Sequence, residues 1–242
     1  MIVPRFEATR DAATAAAVRG AFITFEGGEG AGKSTQVARL AATLRARSGR
    51  PVTVTREPGG SAKAEEIRRA VLSGAAKPYG PFAEALLFCA ARIDHLDRLI
   101  RPALARGEIV ICDRFIDSTR AYQGAAGGLD PGVVAALERV TVGPTRPDLT
   151  LILDLSPEAG LRRAAGRGEG ADRFEAETLG FHARLRDAFL GIAAREPQRC
   201  AAIDAAPEPD AVEAAIRAAV AARLPGLLPD PPAGVGAIID AG

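Results

Sequence analysis

Residues 27–34, GGEGAGKS, have the spacing of a loop that holds phosphate. Glycines let successive backbone N–H groups surround an anion, and the N-terminus of a following helix adds positive potential. In the pattern G-x-x-x-x-G-K-[ST], the lysine (Lys33) reaches the β- and γ-phosphates and the hydroxyl of Ser34 binds Mg²⁺. The motif lies between an apolar run and a helical pattern, the context such a loop requires. The predicted nucleoside-triphosphate site comprises Gly27, Gly28, Glu29, Gly30, Ala31, Gly32, Lys33, Ser34 and Thr35.

Two further clusters carry arginine at the end of an apolar run. Arg56 lies in TREPGG, and the pair Asp113-Arg114 follows EIVIC. Arg56 alone is also compatible with a solvated turn, but Asp113 is suited to order Mg²⁺-bound water and Arg114 to clamp a phosphate. Two arginines and Lys33 exceed what one nucleoside triphosphate needs. They indicate two phosphate groups meeting across Mg²⁺, which is the arrangement for phosphoryl transfer between substrates.

The elements that must position these residues alternate between short apolar strands and longer helical patterns. The pattern predicts strands at 21–26, 52–55, 108–112, 149–155 and 200–204, and helices at 33–48, 61–73, 82–106, 131–141, 157–166, 175–195 and 207–223. Alternating strands and helices predict an α/β domain with a parallel sheet, helices on both faces and right-handed crossovers. In such sheets ligands bind beyond the carboxyl ends of the strands, where the three motifs fall.

Composition sets the broad class. The 242 residues fit one domain at 21–224, between an N-terminal extension at 1–20 and a Pro/Gly-rich tail at 225–242. A net charge of +1 gives no sign of a nucleic-acid-binding surface, and no apolar run is long enough to span a membrane. Three scattered cysteines favour a reducing compartment, so we expect a cytoplasmic protein. Neither His95 nor His182 has metal-ligand spacing.

The motifs together resemble the thymidylate kinase family. They are FEGGEGAGKSTQ, TREPGG, ALLFCAARIDHL, DRFIDSTRAYQG and RGEGADRFE, in the family's order and spacing across about 22–175. The resemblance implies a P-loop NTPase fold of the nucleoside monophosphate kinase type, with a five-stranded parallel sheet and a lid segment. It also implies ATP with Mg²⁺ as donor, dTMP as acceptor, dTDP as product and a homodimer that packs helices near the monophosphate site.

The resemblance assigns the acceptor site. Phe88 would stack on thymine and Arg92, one helical turn later, would donate to a thymine carbonyl. Ser118 and Thr119 would face the base edge, Tyr122 would lie against the deoxyribose beside Gln123, and Arg56 and Arg114 would hold the acceptor phosphate. Glu29 would accept a hydrogen bond from the deoxyribose 3′-hydroxyl and tether an acceptor-side arginine. Without the resemblance, Phe88 reads as core and Glu29 as a solvent-facing loop acid.

The lid is expected at about 162–174, where glycines bracket several arginines. One branch of the family has an arginine inside the phosphate loop, and the other has glycine there and supplies arginine from the lid. Gly30 places this chain with the second branch. The candidates are Arg162, Arg163, Arg167 and Arg173, of which we select Arg167 as the catalytic arginine, acting with Lys33, Arg56 and Arg114.

Two alternatives remain open. A nucleotide-gated switch or ATPase would share the phosphate loop, but the D-x-x-G and N-K-x-D motifs of a GTPase are absent. Other nucleoside monophosphate kinases and deoxynucleoside kinases also use a D-R motif. A deoxynucleoside kinase needs a base after the second strand, and here that place holds TREPGG, which suits an acceptor that already carries phosphate.

Overall fold

The structure is a computed structural model that describes residues 19–166 and 173–228. In this part of the chain five strands form one sheet, every neighbouring pair parallel, in the order β2-β3-β1-β4-β5. The strands are Ala21–Gly27 (β1), Val52–Arg56 (β2), Ile109–Asp113 (β3), Leu149–Asp154 (β4) and Cys200–Asp204 (β5). The predicted five-stranded parallel sheet is therefore confirmed.

Helices connect the strands. The α-helices are Lys33–Arg47 (α1), Ala62–Leu72 (α2), Gly80–His95 (α3), Arg101–Ala105 (α4), Ile116–Thr119 (α5), Pro131–Thr141 (α6), Pro157–Ala165 (α7), Leu179–Arg195 (α8) and Pro209–Arg223 (α9). A 3₁₀ turn covers Lys77–Tyr79, and π-helical segments cover Leu96–Ile100 and Arg120–Ala126.

Three helical boundaries differ from the sequence prediction. The helix predicted at 82–106 runs from Gly80 to Ala105, but a π-helical segment interrupts it. The helix predicted from 175 begins at Leu179, because the Thr178 hydroxyl caps it by accepting from the Phe181 N–H. Residues 116–126 are helical although only a loop and a helix start were predicted, because this polar stretch lacks an apolar period.

The helices cover both faces of the sheet, so its central strand is buried along its whole length. Ile23 and Phe25 of β1 pack in the cluster that includes residues of α1 and α9. Phe22, which points to the opposite face, packs in a cluster with Leu96 and Ile100 of the π-helical segment after α3. The alternation along one strand thus builds both halves of the core.

The strand register brings the three motifs to one edge of the sheet. Phe25 of β1 lies opposite Asp113 of β3, and Arg56 of β2 lies opposite the same residue. Loops that leave β1, β2 and β3 therefore start side by side. β1 begins at Ala21 and α9 ends at Arg223, whereas residues 1–18 and 229–242, most of the predicted extension and tail, lie outside the described residues.

Candidate active site

The phosphate loop joins β1 to α1, with Gly30 and Gly32 in the left-handed region at φ 68° and 85°. Lys33 lies back over this loop, and its Nζ donates to the carbonyl oxygens of Gly27 (3.1 Å) and Gly28 (2.7 Å). Burial, together with the positive charge of Arg114, lowers the pKa of Lys33 to about 8. The loop therefore holds its cation within the concave backbone that a polyphosphate would occupy.

The end of β3 reaches the start of α1 through one hydrogen bond. Ser34 Oγ donates to Asp113 Oδ2 at 2.8 Å. A hydroxyl and a carboxylate are the hard oxygen ligands that Mg²⁺ prefers. Among the described residues, no group of three or more His, Cys, Asp or Glu side chains could hold a metal ion. The pair thus fits an ion whose remaining ligands are water and phosphate oxygens.

The carboxylate of Glu29 points toward the acceptor side of the loop. Its Oε1 accepts from Arg114 Nη2 at 2.8 Å and from the Tyr122 hydroxyl at 2.5 Å. Burial acts to raise the pKa of Glu29, but Arg114, Lys33 and the Tyr122 hydrogen bond hold it at about 2. The expected tether to an acceptor-side arginine is thus present, and Glu29 is an ionised, largely buried group.

Arg114 has an unusual backbone. Among the described residues, Arg114 is the one non-glycine residue with a positive φ, at 69°. This left-handed conformation costs about 1 kcal/mol for an L-residue. The Arg114 N–H donates to the Phe25 carbonyl at 2.8 Å, and Nη1 donates to the Gly27 carbonyl at 3.0 Å. Such backbone strain is concentrated at functional sites. The guanidinium lies over the Tyr122 ring, 5.1 Å from its centroid.

Glu26, which has no role in the sequence prediction, fixes the loop after Arg114. Its Oε1 accepts from the N–H groups of Phe115 (2.8 Å) and Ser118 (3.1 Å), and Oε2 accepts from Ser118 Oγ (2.6 Å). Burial and the neighbouring charge of Asp117 raise the pKa of Glu26 to about 7. The Ser118 hydroxyl thus donates to Glu26 and accepts from Arg114 Nη1 at 3.4 Å. Gly27 follows Glu26 directly in the sequence, and no local sequence pattern indicates that Glu26 binds Phe115 and Ser118.

Aromatic rings form the other end of the site. Phe88 is half-buried and lines the cavity, so it is not simply a core residue. Its ring centroid lies 6.4 Å from that of Phe174, whose ring meets Tyr122 edge-on at 5.1 Å. Phe174, just beyond the lid glycines, was not predicted to belong to the site.

Arg92 is buried beside these rings. Nε donates to Glu57 Oε2 at 2.7 Å, and Nη2 donates to the Phe115 carbonyl (3.2 Å) and to Thr119 Oγ1 (3.1 Å). Nη1 is also buried and has no hydrogen-bond partner among the described residues. An unsatisfied buried donor costs about 1–3 kcal/mol. The Arg92 guanidinium therefore retains one nitrogen, Nη1, whose hydrogen-bonding capacity is unused among the described residues.

These groups surround one cavity of about 580 Å³. Within the described chain, every predicted site residue lines it except Gly27 and Gly28, whose carbonyls bind Lys33. The predicted residues that line it are Glu29, Gly30, Ala31, Gly32, Lys33, Ser34, Thr35, Arg56, Phe88, Arg92, Asp113, Arg114, Ser118, Thr119, Tyr122 and Gln123. The cavity walls also include Glu57, Pro58, Arg68, Leu72, Phe115, Phe174 and Glu175. Arg68 and Leu72 are spaced i,i+4 and therefore lie on one face of α2. This spacing could have predicted that they line the cavity together.

The selected lid arginine, Arg167, lies outside the described residues. Arg163 donates to the carbonyls of Ala205 (2.9 Å) and Ala206 (3.0 Å), and Arg173 forms an ion pair with Glu84 at 2.6 Å. Neither arginine lines the cavity. The first part of the predicted lid is the end of α7, which continues to Ala165.

Gly30 meets a second glycine on the helix that precedes the lid. A Cβ on Gly30 would lie 1.9 Å from the carbonyl oxygen of Gly160, and a Cβ on Gly160 would lie 2.3 Å from that of Glu29. Two backbones can approach this closely only because neither residue has a side chain. An arginine at position 30 would therefore require α7 to move.

A phosphate loop after the central strand of a parallel sheet, with two arginines and aromatic rings lining the cavity beside it, is the arrangement of a P-loop kinase of nucleoside monophosphates. A sequence model of the family described as thymidylate kinase matches residues 25–216. The chain belongs to the thymidylate kinase family.

Individual relatives agree with this assignment. A thymidylate kinase of Caulobacter vibrioides is 59% identical over 206 residues, covering 85% of this chain and 98% of the relative. One of Nitrobacter winogradskyi is 59% identical over 204 residues, covering 84% and 88%. The crystal structure of thymidylate kinase from Ehrlichia chaffeensis matches with a TM-score of 0.68 at 33% identity, covering 84% of this chain and 99% of that one.

Proposed function

We propose that this protein transfers the γ-phosphoryl group of ATP to dTMP, giving dTDP and ADP on the route to dTTP. The observation that carries the proposal is that Arg92, whose buried Nη1 lacks a hydrogen-bond partner among the described residues, lines the same cavity as the phosphate loop. A pyrimidine with a carbonyl at position 4, stacked on Phe88, would satisfy that donor. A 4-amino group would present a second donor instead.

The residues at the other end suit an acceptor that carries phosphate. Arg56 and Arg114 would neutralise the acceptor phosphate, and the Glu29 tether holds Arg114 in place beforehand. A phosphate oxygen carries almost no proton near neutral pH, so no general base is needed. Glu57, the acid that follows β2, contacts Arg92 through one oxygen and His95 through the other, so it is not placed to deprotonate a hydroxyl. These contacts favour a nucleotide acceptor over a nucleoside.

Mg²⁺ would be held by Ser34 directly and by Asp113 through water, in addition to the phosphate oxygens. The bound ion would neutralise charge on the transferring phosphoryl group. Lys33 would bind the β- and γ-phosphates, and the N–H groups of residues 27–35 would surround them. Alignment and charge neutralisation by these groups account for the catalysis.

A lid arginine would complete the charge neutralisation, and a closing arginine is worth about 10³–10⁵ in rate in related enzymes. Arg163 and Arg173 bind groups outside the cavity, and Arg162 does not line it either, which favours Arg167. We keep Arg167 as the choice, and expect Arg167→Ala to lower kcat far more than it raises the KM for dTMP. A near-normal kcat would show that Arg167 is the wrong choice.

We also propose a homodimer through α3. Phe82, Leu86 and Ile93 are 49%, 44% and 44% exposed, and their spacing puts them within about 40° on one helix face. A second copy of the chain would cover this stripe. No helix of the described residues is long and apolar enough to cross a membrane. We place the enzyme in the cytoplasm, which fractionation of cells would test.

A coupled ADP-release assay tests the proposal. The purified protein is given ATP and Mg²⁺ with dTMP, dUMP, UMP, AMP, thymidine or no acceptor in parallel, and a metal-free reaction with chelator serves as control. The expected result is Mg²⁺-dependent turnover that is fastest with dTMP. Faster turnover of thymidine would indicate a nucleoside kinase, and turnover without acceptor would indicate a switch or ATPase.

A further inference from the structure

A buried chain of polar contacts runs from Arg92 through Glu57 and His95 to Thr55. Thr55 Oγ1 lies 2.7 Å from His95 Nε2, and His95 Nδ1 lies 3.1 Å from Glu57 Oε1. Glu57 Oε2 in turn accepts from Arg92 Nε at 2.7 Å. His95 is fully buried, and the side chains of Arg92 and Glu57 are 2% and 5% exposed. We call Thr55, His95 and Glu57 the arginine support.

The arginine support fixes where the remaining Arg92 donor points. A guanidinium is planar, so its orientation is set once two of its nitrogens are bound. Nε is held by Glu57, and Nη2 by the Phe115 carbonyl and Thr119 Oγ1. The direction of Nη1 therefore depends on the position of the Glu57 carboxylate.

His95 decides the position of that carboxylate. An ionised carboxylate only accepts hydrogen bonds, so His95 Nδ1 carries the proton that it shares with Glu57 Oε1. The neutral tautomer with Nδ1 as the donor accepts from the Thr55 hydroxyl at Nε2. Without His95, Oε1 would lack this donor and the carboxylate could rotate.

The TREPGG motif is shaped around this contact. A Cβ on Gly60 would lie 2.4 Å from His95 Nε2 and 2.5 Å from Thr55 Oγ1, and Gly60 has φ +83°. Thr55 and Glu57 of the motif thus contact the His95 imidazole, and Gly60 leaves room for it. His95 lies one helical turn after Arg92 at the end of α3, and no metal or solvent role accounts for its burial.

We propose that His95 is a positioning residue for base selection, acting through Glu57 to aim Arg92 Nη1 at a carbonyl group at position 4 of the acceptor pyrimidine. The proposal rests on the proposed function, in which Arg92 meets the base. A donor fixed in direction favours the 4-oxo base of dTMP and repels the 4-amino group of dCMP. If the Arg92 donor can rotate away from the base, the enzyme discriminates less between dTMP and dCMP. The Arg92 donor and the 4-amino donor of dCMP are then no longer forced together.

The test compares His95→Leu with His95→Gln. Leucine leaves Glu57 Oε1 without its donor, whereas the glutamine amide can donate to Glu57 and accept from Thr55. For His95→Leu we expect the ratio of kcat/KM for dTMP to that for dCMP to fall about ten- to a hundredfold, the range for one hydrogen bond to a charged group. The KM for ATP should stay within about twofold, and His95→Gln should keep the ratio within about threefold.

Thr55→Val provides a second measurement if His95→Leu does not fold. It removes only the hydroxyl at the far end, so the same ratio should fall by a few-fold. A purely structural role of His95 would reduce kcat for both nucleotides alike and leave the ratio unchanged in every variant, which would overturn the proposal. Wild-type protein that does not phosphorylate dTMP would instead overturn the proposed function, so the two failures are distinguishable.

Discussion

Replacing Gly160 by alanine tests whether the contact between α7 and the phosphate loop matters for catalysis. The new Cβ would lie 2.3 Å from the Glu29 carbonyl oxygen, and real Cβ atoms essentially never come closer than 3.0 Å to another heavy atom. The two backbones must therefore separate by at least 0.7 Å, the difference between these distances. Neither partner is the end of a flexible side chain, so the shift must involve α7 or the loop.

This separation acts on two parts of the site. α7 leads into the lid, and Glu29 holds Arg114 and Tyr122 through its carboxylate. A misplacement of about 1 Å costs about 10²-fold in rate. We expect Gly160→Ala to lower kcat between about tenfold and 10²-fold. Stability should not show the gain of about 0.5–1 kcal/mol that alanine usually gives in a helix interior.

The assay is steady-state turnover with saturating ATP and dTMP, together with thermal unfolding of the same samples. Gly180→Ala in α8 is the matched control, because the nearest atoms to its new Cβ are 3.8 and 3.9 Å away. The control should keep wild-type kcat. If Gly160→Ala also turned over at the wild-type rate and showed the usual stability gain of about 0.5–1 kcal/mol, the contact would have no role in catalysis and the reasoning would be refuted.

Four further changes test separate parts of the site. Phe88→Ala should raise the KM for dTMP about tenfold or more through lost stacking and leave ATP affinity within about twofold. Glu29→Gln should weaken dTMP binding at least about tenfold, because it removes the charge that holds Arg114, again with normal ATP binding. ATP affinity should be constant below about pH 8 and fall up to about tenfold per pH unit above it, because Lys33 loses its proton there. Leu86→Glu on the exposed stripe of α3 should shift the protein toward monomer in light scattering.

Each of these has a result that would contradict it. Equal weakening of ATP and dTMP in Phe88→Ala would mean that the ring is structural. Unchanged dTMP affinity in Glu29→Gln would remove Glu29 from the acceptor site. For the pH series, Lys33→Arg retains its charge and should show no loss above pH 8, and a flat wild-type profile would exclude Lys33 as the titrating group. A Leu86→Glu protein with wild-type mass would place the interface elsewhere.

The sequence predicted the sheet and most of the residues that line the cavity, because those signals are local. The phosphate loop needs a fixed spacing of Gly27, Gly32, Lys33 and Ser34 within one turn, and buried parallel strands are apolar runs. The acceptor residues were assigned by motifs that resemble one family. Residues 116–126 were harder, since their helical conformation depends on packing and on Glu26 rather than on their own period.

What the tertiary structure decided is which of these residues touch one another. Glu29 and Arg114 are 85 positions apart, and Glu57 and Arg92 are 35 apart, so their pairing depends on the strand order and on the close approach of helices to loops. The same is true of Gly30 and Gly160, whose backbones meet only because α7 packs on the phosphate loop. Local pattern determines which groups a chain carries to the edge of the sheet. The direction in which each side chain points there is set by long-range packing and hydrogen bonding, which no short stretch of sequence encodes.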